Sequence, residues 1–197
     1  MTTRKLTAVF ALTLAALVGA GCAGHSMKRV NPSADDDIGG TGIDSADVIA
    51  ATDRATADLA PALLASTQNN LVVAPSTIKN ESSQPFNTGM LTDRMIDDLV
   101  KRCGPRVRFL AREHIDEVVK EREAKRTGVY SPTEQKALLG ATYLLTGRIT
   151  SLSKRADGDR ADYFVMSFRL VDAEDSHIVW TNQYEFKKVG DAGVIYQ

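Results

Sequence analysis

The spacing of apolar residues changes near residue 140, and this change constrains the fold more than any other feature of the sequence. Upstream, apolar residues recur about every 3.6 residues, which is typical of amphipathic helices. Downstream they recur at every second position, which is typical of strands with one buried face. Two downstream segments show this pattern, ADYFVMSFRLVD through Phe164, Met166, Phe168 and Leu170, and HIVWTNQYEFK through Ile178, Trp180, Tyr184 and Phe186.

These two segments and the preceding TYLLTGRITSL predict an antiparallel meander of three strands. Turn residues separate the three segments, Asp157-Gly158 at the first connection and Glu174-Asp175-Ser176 at the second. We therefore expect consecutive antiparallel strands in the last third of the chain.

The segments upstream of the meander alternate between strand and helix patterns. A continuous apolar run, Leu71–Ala74, predicts a buried strand, and a helix follows from Asn87 or Thr88 with Leu91, Met95, Ile96, Leu99 and Val100 inside. RVRFL predicts a second strand, parallel to the first. Two more helices are expected, over REHIDEVVKEREAKR and over SPTEQKALLG, the latter capped by Ser131 with Pro132 in its first turn.

Another helix is expected before the first strand. Asp44 or Ser45 can cap it, and its apolar side runs through Val48, Ile49, Thr52, Ala55 and Leu59. Pro61 should end or kink this helix, because proline lacks the backbone N–H and clashes with the preceding turn.

The predicted fold class is α/β, a single layer domain with a mixed sheet. Its order is β-α-β-α-α followed by the antiparallel three-strand meander, preceded by a helix and a disordered tail. We place the domain at residues 44–188, followed by a C-terminal tail at 189–197.

The first 21 residues have the anatomy of a secretory signal peptide. Arg4 and Lys5 precede an apolar stretch that is shorter than the roughly 20 residues needed to cross a membrane, and small residues follow. The small residues end at Cys22, which resembles the lipobox of bacterial lipoproteins, where the cysteine is acylated. Two or three acyl chains would anchor the chain stably. The alternative is an incidental thiol near an ordinary cleavage site.

Residues 22–43 are interpreted as the lipidated cysteine and a flexible linker, because they are rich in Gly, Ser, Asp and Asn. In lipoproteins of Gram-negative bacteria, Ala23 after the cysteine is associated with sorting to the outer membrane. We therefore expect lipid anchoring there, facing the periplasm.

The charge balance argues against nucleic acid as a partner, and the cysteine content excludes an intramolecular disulfide bond. The chain has 24 basic and 25 acidic side chains, and removal of residues 1–21 takes away Arg4 and Lys5 only. The mature chain is therefore net acidic, which argues against nucleic acid as a partner. With Cys22 acylated, Cys103 is the one remaining thiol, so an intramolecular disulfide is excluded and a buried structural thiol is expected.

Catalytic constellations are absent from the sequence. His114 and Glu117 lie three residues apart on a predicted helix, where an ion pair or capping contact is favoured over a metal site. Ser131 is better placed as a helix cap than as a nucleophile. We predict that the chain is not an enzyme and uses no metal or cofactor.

One group of basic residues is a candidate interaction site. Its default interpretation is a solvated helix face, and the alternative is a docking patch, provided that the meander packs beside the helix. The group consists of Lys120, Arg122, Lys125, Arg126, Lys154 and Arg155.

Several stretches together resemble the LpoB family, outer-membrane lipoproteins that activate penicillin-binding proteins. They are GGTGIDSADVIAATDRATADL, IKNESSQPFNTGMLTDRMIDDLV, VRFLAREHIDEVV, GATYLLTGRITSLSKR and FRLVDAEDSHIVWTNQYEFKK. The resemblance implies a domain similar to the N-terminal domain of TolB. It also implies that the chain binds and activates a class A penicillin-binding protein, a bifunctional peptidoglycan synthase. Asp175-Ser176 stands where such sequences usually have Thr-Gly.

A different class of function remains open. The same TolB-like domain can serve as an adaptor lipoprotein in an envelope assembly or secretion complex. An envelope hydrolase, the third possibility, would need an active site that the sequence does not reveal.

Overall fold

The computed structural model describes residues 29–34, 40–68, 70–131, 134 and 136–191. The chain divides into two units, Met1–Asn31 and Pro32–Gln197. Of the first unit only residues 29–31 are described, and they are exposed and without regular secondary structure. The predicted signal peptide and Cys22 lie outside the described residues.

The second unit contains three helices and five strands among its described residues. The helices are α1 (Ser45–Ala65), α2 (Gly89–Cys103) and α3 (Ile115–Arg126). The strands are β1 (Leu71–Glu81), β2 (Val107–Phe109), β3 (Tyr143–Ala156), β4 (Asp159–Asp172) and β5 (Ile178–Asp191). Short 3-10 turns precede β2 at Gly104–Arg106 and α3 at Arg112–His114.

The strands form one mixed sheet in the order β2-β1-β3-β4-β5. β1 is parallel to both β2 and β3, and β3, β4 and β5 are antiparallel neighbours. The first hairpin turns at Asp157 and Gly158, both with positive φ, as a two-residue turn requires. The second turn places Ser176 at a φ of 66°, a conformation in which glycine would be less strained. The predicted α/β fold class and the meander are confirmed.

Helices α1 and α2 cover one face of the sheet. Asp44 caps α1 through a reciprocal capping box with Asp47, and this satisfies two backbone N–H groups that the helix itself cannot pair. Leu59 of α1, Met95 of α2 and Phe168 of β4 meet in the core, each at most 1% exposed. The buried apolar residues of β4 are the alternating set that the sequence predicts, and the buried Asp162 precedes them on the same face.

Of the two predicted effects of Pro61, an end or a kink of the first helix, the end does not occur. The helix continues to Ala65, with Pro61 on its exposed side. Leu63 and Leu64, which follow the proline, both pack into the core. Tertiary packing thus outweighs the loss of one backbone hydrogen bond.

The predicted helix over residues 131–140 is absent from the described part of that segment. Leu138 and Leu139, which were to form its apolar side, are 48% and 43% exposed. A helix this short is marginal unless it buries its apolar side, and these leucines stay largely exposed.

Both predicted ends of the domain need correction. Thr41 is buried and belongs to the folded domain although its segment has linker composition. β5 extends to Asp191, past the predicted end at residue 188.

Three apolar side chains are less buried than predicted. Val100 on α2 and Ile178 on β5 are about half exposed. For Ile178 the reason is a shift of the β4–β5 register between Leu170 and Val171, which moves it off the inner face. Trp180 does face the core, as predicted, but it is only partly buried, and its indole N–H donates to Asp58.

Candidate interaction surface

Helix α3 buries none of its own side chains. Val118 and Val119 are 43% and 47% exposed, although a solvent-facing helix rarely carries adjacent valines. The helix contacts mainly the 3-10 turn that precedes it, and no strand of the sheet packs extensively on it. An exposed apolar surface of this kind is typical of a protein interaction site.

The segment after α3 lies against the helix and extends this apolar surface. The Arg112 guanidinium donates to the carbonyl of Leu139 at 3.3 Å, and the Arg122 guanidinium donates to the carbonyl of Lys136 at 2.7 Å. A shallow groove of about 90 Å³ between the two segments is lined by Leu110, Ala111, Arg112, Ile115, Val118, Leu138 and Leu139. We call the exposed residues Val118, Val119, Leu138 and Leu139 the α3 strip.

Basic residues border the α3 strip. Lys125 pairs with Glu121 at 3.1 Å, and Arg122 holds the neighbouring segment as described above. Lys120 and Arg126 are exposed. Four of the six predicted interaction residues thus lie on one helix beside an apolar strip.

Lys154 and Arg155, the other two predicted residues, are not part of this group. They lie near the far end of β3, about eleven residues beyond Tyr143, where β3 begins, which corresponds to roughly 36 Å along a strand. The sequence interpretation required the meander to pack beside α3. The helix instead follows Leu110, whose backbone N–H donates to the carbonyl of Val73, the partner of Tyr143 at the start of β3. The structure therefore separates the predicted patch into two groups.

A buried ion cluster, which the sequence analysis missed, joins the start of the domain to β5. Lys188 Nζ lies 2.6 Å from a carboxylate oxygen of Asp44 and 2.6 Å from one of Asp47, and it donates to the carbonyl of Gly42. Burial alone would lower the pKa of Lys188, but its hydrogen bonds to the two aspartates raise it. A signal existed in the sequence, because Lys188 continues the inward series of Tyr184 and Phe186.

A second buried contact, also missed, lies beside the first. Asp162 is fully buried and accepts a hydrogen bond from Thr41, and Arg160 Nε lies 2.7 Å from the same carboxylate. Burial favours the neutral acid, but hydrogen bonds from Ser153, Thr41 and Arg160 outweigh burial and lower the pKa of Asp162. Both contacts fix residues 41–47 on the sheet, and neither opens onto a concave site with catalytic geometry.

Two groups have residue types that bind metals. His114 Nδ1 lies 3.7 Å from a carboxylate oxygen of Glu117, and both side chains are mostly exposed. In the second turn, Asp172, Asp175 and His177 bring possible ligand atoms within 4.8 Å of one another. There Asp175 already accepts hydrogen bonds from the backbone and ring of His177, and this ring contact raises the pKa of His177. These contacts close the turn.

The remaining predicted thiol, Cys103, is buried at the end of α2, as expected. Burial raises the pKa of this thiol, although Arg102 opposes the effect. A structural role therefore suits it better than a reactive one. Within the described residues, no helix is both long and apolar enough to span a bilayer.

A family model described as peptidoglycan-synthase activator LpoB matches residues 47–186. Among solved structures, the LpoB C-terminal domain from Escherichia coli is 13% identical with a TM-score of 0.43, covering 71% of this chain and 98% of that domain. The corresponding domain from Salmonella enterica is 14% identical, with the same TM-score and coverage. The NMR structure of Escherichia coli LpoB is 13% identical with a TM-score of 0.42, covering 87% of this chain and 78% of that one. No curated protein sequence gives a significant match.

Proposed function

Because the chain belongs to the family of the peptidoglycan-synthase activator LpoB, we propose that it binds a class A penicillin-binding protein in the periplasm and raises its activity. The family match over residues 47–186 is the observation that carries this proposal. Activation requires that the chain bind an active conformation of the synthase more tightly than an inactive one. Such a role needs a binding surface and assigns no catalytic step to the chain.

The α3 strip and the basic residues around it are the proposed docking surface for the synthase. Exposed apolar side chains supply the core of a protein interface, and a charged rim supplies orientation. Lys120 and Arg126 lie on this rim, whereas Lys154 and Arg155 lie near the far end of β3 and are not part of it.

Cys22 is the proposed attachment point to the outer membrane. The Ser45 hydroxyl donates to the carbonyl of Pro32, so the domain begins to hold the chain at that residue. Ten residues separate Cys22 from Pro32, and an extended chain of that length reaches at most about 35 Å. The synthase must therefore present its regulatory region within a short distance of the anchor.

The activation test uses the full chain in detergent with each purified bifunctional synthase of the organism. We expect a faster rate of glycan polymerisation or of peptide crosslinking with one of them. If none is stimulated and the chain instead co-purifies with export components, the adaptor function replaces this proposal.

The docking surface is tested by placing a charge in the α3 strip. Val118→Asp should weaken activation by about ten-fold or more, because a buried unpaired carboxylate opposes association. Val100→Asp is the matched control, since Val100 is 48% exposed on α2 and lies outside the strip. Equal activation by the two variants would remove α3 from the interface.

A further inference from the structure

The outer face of the meander, opposite α1 and α2, is covered by no helix that the structure describes. On β5 every outward residue from Thr181 to Val189 is exposed. Among the outward side chains that the structure describes on β1, β3, β4 and β5, five are cations and three are acids. The cations are Lys79, Arg148, Lys154, Arg169 and Lys187, and the acids are Glu81, Asp159 and Glu185.

Two of these acids have side-chain partners, but only Glu81 is paired with a cation that the structure describes. Glu81 lies 3.5 Å from Arg148, and Glu185 accepts hydrogen bonds from the Tyr163 hydroxyl and the Gln183 amide, both at 2.6 Å. The lysines Lys154 and Lys187 have no ion-pair partner among the described residues. A positive face on a chain with net negative charge favours an anionic ligand.

A shallow cavity lies on this face between the two lysines. It has a volume of about 210 Å³ and is lined by Leu152, Lys154, Ala161, Tyr163 and Lys187. Leu152, Tyr163 and Lys187 are direct neighbours across three strands. Glu185 holds the Tyr163 hydroxyl, so the ring forms a fixed wall.

The cavity therefore has an apolar floor with an ammonium group at either side. Its volume is below the range of about 300 to 1,000 Å³ typical of pockets for whole small molecules, so it suits one small group of a larger ligand. The matching chemistry is a methyl or similar apolar group flanked by carboxylates.

We propose that this cavity binds the peptide stems of peptidoglycan, whose alanine methyl groups lie beside free carboxylates. The methyl group contacts Leu152, Ala161 and Tyr163, and the carboxylates pair with Lys154 and Lys187. This inference extends the proposed function, because it gives the domain a second ligand, the polymer that the synthase makes.

Two other anionic surfaces fit less well. Lipid headgroups are recognised from sequence by clusters of about four to eight basic residues, whereas the five cations of this face are spread over four strands and only Lys154 and Lys187 line the cavity. A stable protein interface needs a wide apolar centre, and beyond Val165 and Val189 the outward positions Ser167, Thr181 and Gln183 are polar.

The test measures co-sedimentation of the full chain, in non-ionic detergent, with purified insoluble peptidoglycan. The wild type should sediment, and sodium chloride should release it, because exposed charge pairs are screened. The double variant Lys154→Glu with Lys187→Glu should bind about ten-fold more weakly or worse. Arg54→Glu with Lys101→Glu makes the same charge change on α1 and α2 and should bind as the wild type does.

Several results would overturn the assignment. One is equal sedimentation of both double variants, and another is unchanged binding to glycan from which an amidase has removed the peptide stems. Release by detergent micelles containing phosphatidylglycerol, but not by soluble peptidoglycan fragments, would reassign the site to lipid headgroups. Circular dichroism of each variant checks that it is folded.

The same variants separate this inference from the proposed function. Lys154→Glu with Lys187→Glu should still activate the purified synthase, because both residues lie far from the α3 strip. Loss of wall binding with retained activation supports the inference. If no synthase responds while binding to peptidoglycan is intact, the proposed function is contradicted and the peptidoglycan-binding site is supported.

Discussion

At the scale of single residues, Lys188 joins the beginning of the domain to its last strand. Its ammonium group lies between Asp44 and Asp47, the two residues that also cap α1. All three side chains are less than a quarter exposed, so water screens the cluster poorly. Removing the cation leaves two carboxylates close together with no partner charge.

We predict that Lys188→Met lowers the free energy of unfolding by about 2–4 kcal/mol at neutral pH. Lys187→Met, at the exposed neighbouring position, should change it by less than about 0.5 kcal/mol. Urea unfolding followed by circular dichroism measures both values. A similar small loss in both variants would mean that the cluster contributes little.

The free energy of unfolding at acidic pH should depend on Asp162. The pKa of Asp162 is lowered from its ordinary value of 3.8 in the folded chain, so its contribution to stability is present above that value. The contribution is lost as the pH falls through the lower folded pKa. We expect the free energy of unfolding to fall below about pH 4 in the wild type, and to fall less in Asp162→Asn. Parallel profiles for the two proteins, measured in urea from pH 7 to 3, would contradict this role.

At the scale of secondary-structure elements, α1 and α3 differ in how far core packing stabilises the helix. α1 passes through Pro61 because the leucines after the proline pack into the core. α3 forms without any buried side chain, held by its own ion pairs and by two arginine contacts to neighbouring carbonyls. Helix α1 therefore forms despite its proline, and helix α3 forms with its apolar side chains exposed to solvent.

Replacing Pro61 tests the first of these points. Pro61→Ala supplies the missing N–H to the carbonyl four residues earlier, and we predict an increase of about 1–3 kcal/mol in the free energy of unfolding. Ala62→Gly, at the next exposed position, should lower it by about 1 kcal/mol. Thermal and urea unfolding give both values. Destabilisation by Pro61→Ala would show that proline stiffens the unfolded chain more than it disturbs the helix.

Burial of the single tryptophan is the other test at this scale. Trp180→Ala should lower the free energy of unfolding by about 2–3 kcal/mol, less than a fully buried aromatic would, because the ring is only partly buried. The native fluorescence should shift to the red in urea. A native spectrum equal to that of free tryptophan would contradict the position on the inner face.

At the scale of the whole molecule, the chain between the proposed anchor at Cys22 and Pro32 determines how far the domain can lie from the membrane. If the proposals on lipidation and activation hold, a palmitate analogue should label the wild type in cells and should not label Cys22→Ser. Equal labelling of both proteins would remove the anchor.

The length of the tether supplies the second test at this scale. A flexible ten-residue insertion between Lys28 and Arg29 should preserve or improve activation in cells, and deletion of residues 24–28 should impair it. In detergent with purified synthase both variants should match the wild type, because no membrane restrains them. Impaired activation in detergent would indicate that the tether itself contacts the synthase.

The sequence by itself determined the sheet and most of its elements, because hydrophobic period and turn residues act locally. Alternation from Phe164 to Leu170 and the Asp157-Gly158 turn are enough to specify a hairpin whose inner face is apolar. The capping residue Asp44 and the parallel pair β1 and β2 follow in the same way.

Only the tertiary structure decided which surfaces and charges come together, because these depend on residues distant in sequence. The approach of Lys188 to Asp44, the burial of Thr41 and the continuation of α1 past Pro61 all result from packing across more than one element. The same is true of the candidate site. The sequence predicted six basic residues as one patch, and the length of β3 places Lys154 and Arg155 far from α3, with only Lys154 on the outer face of the meander.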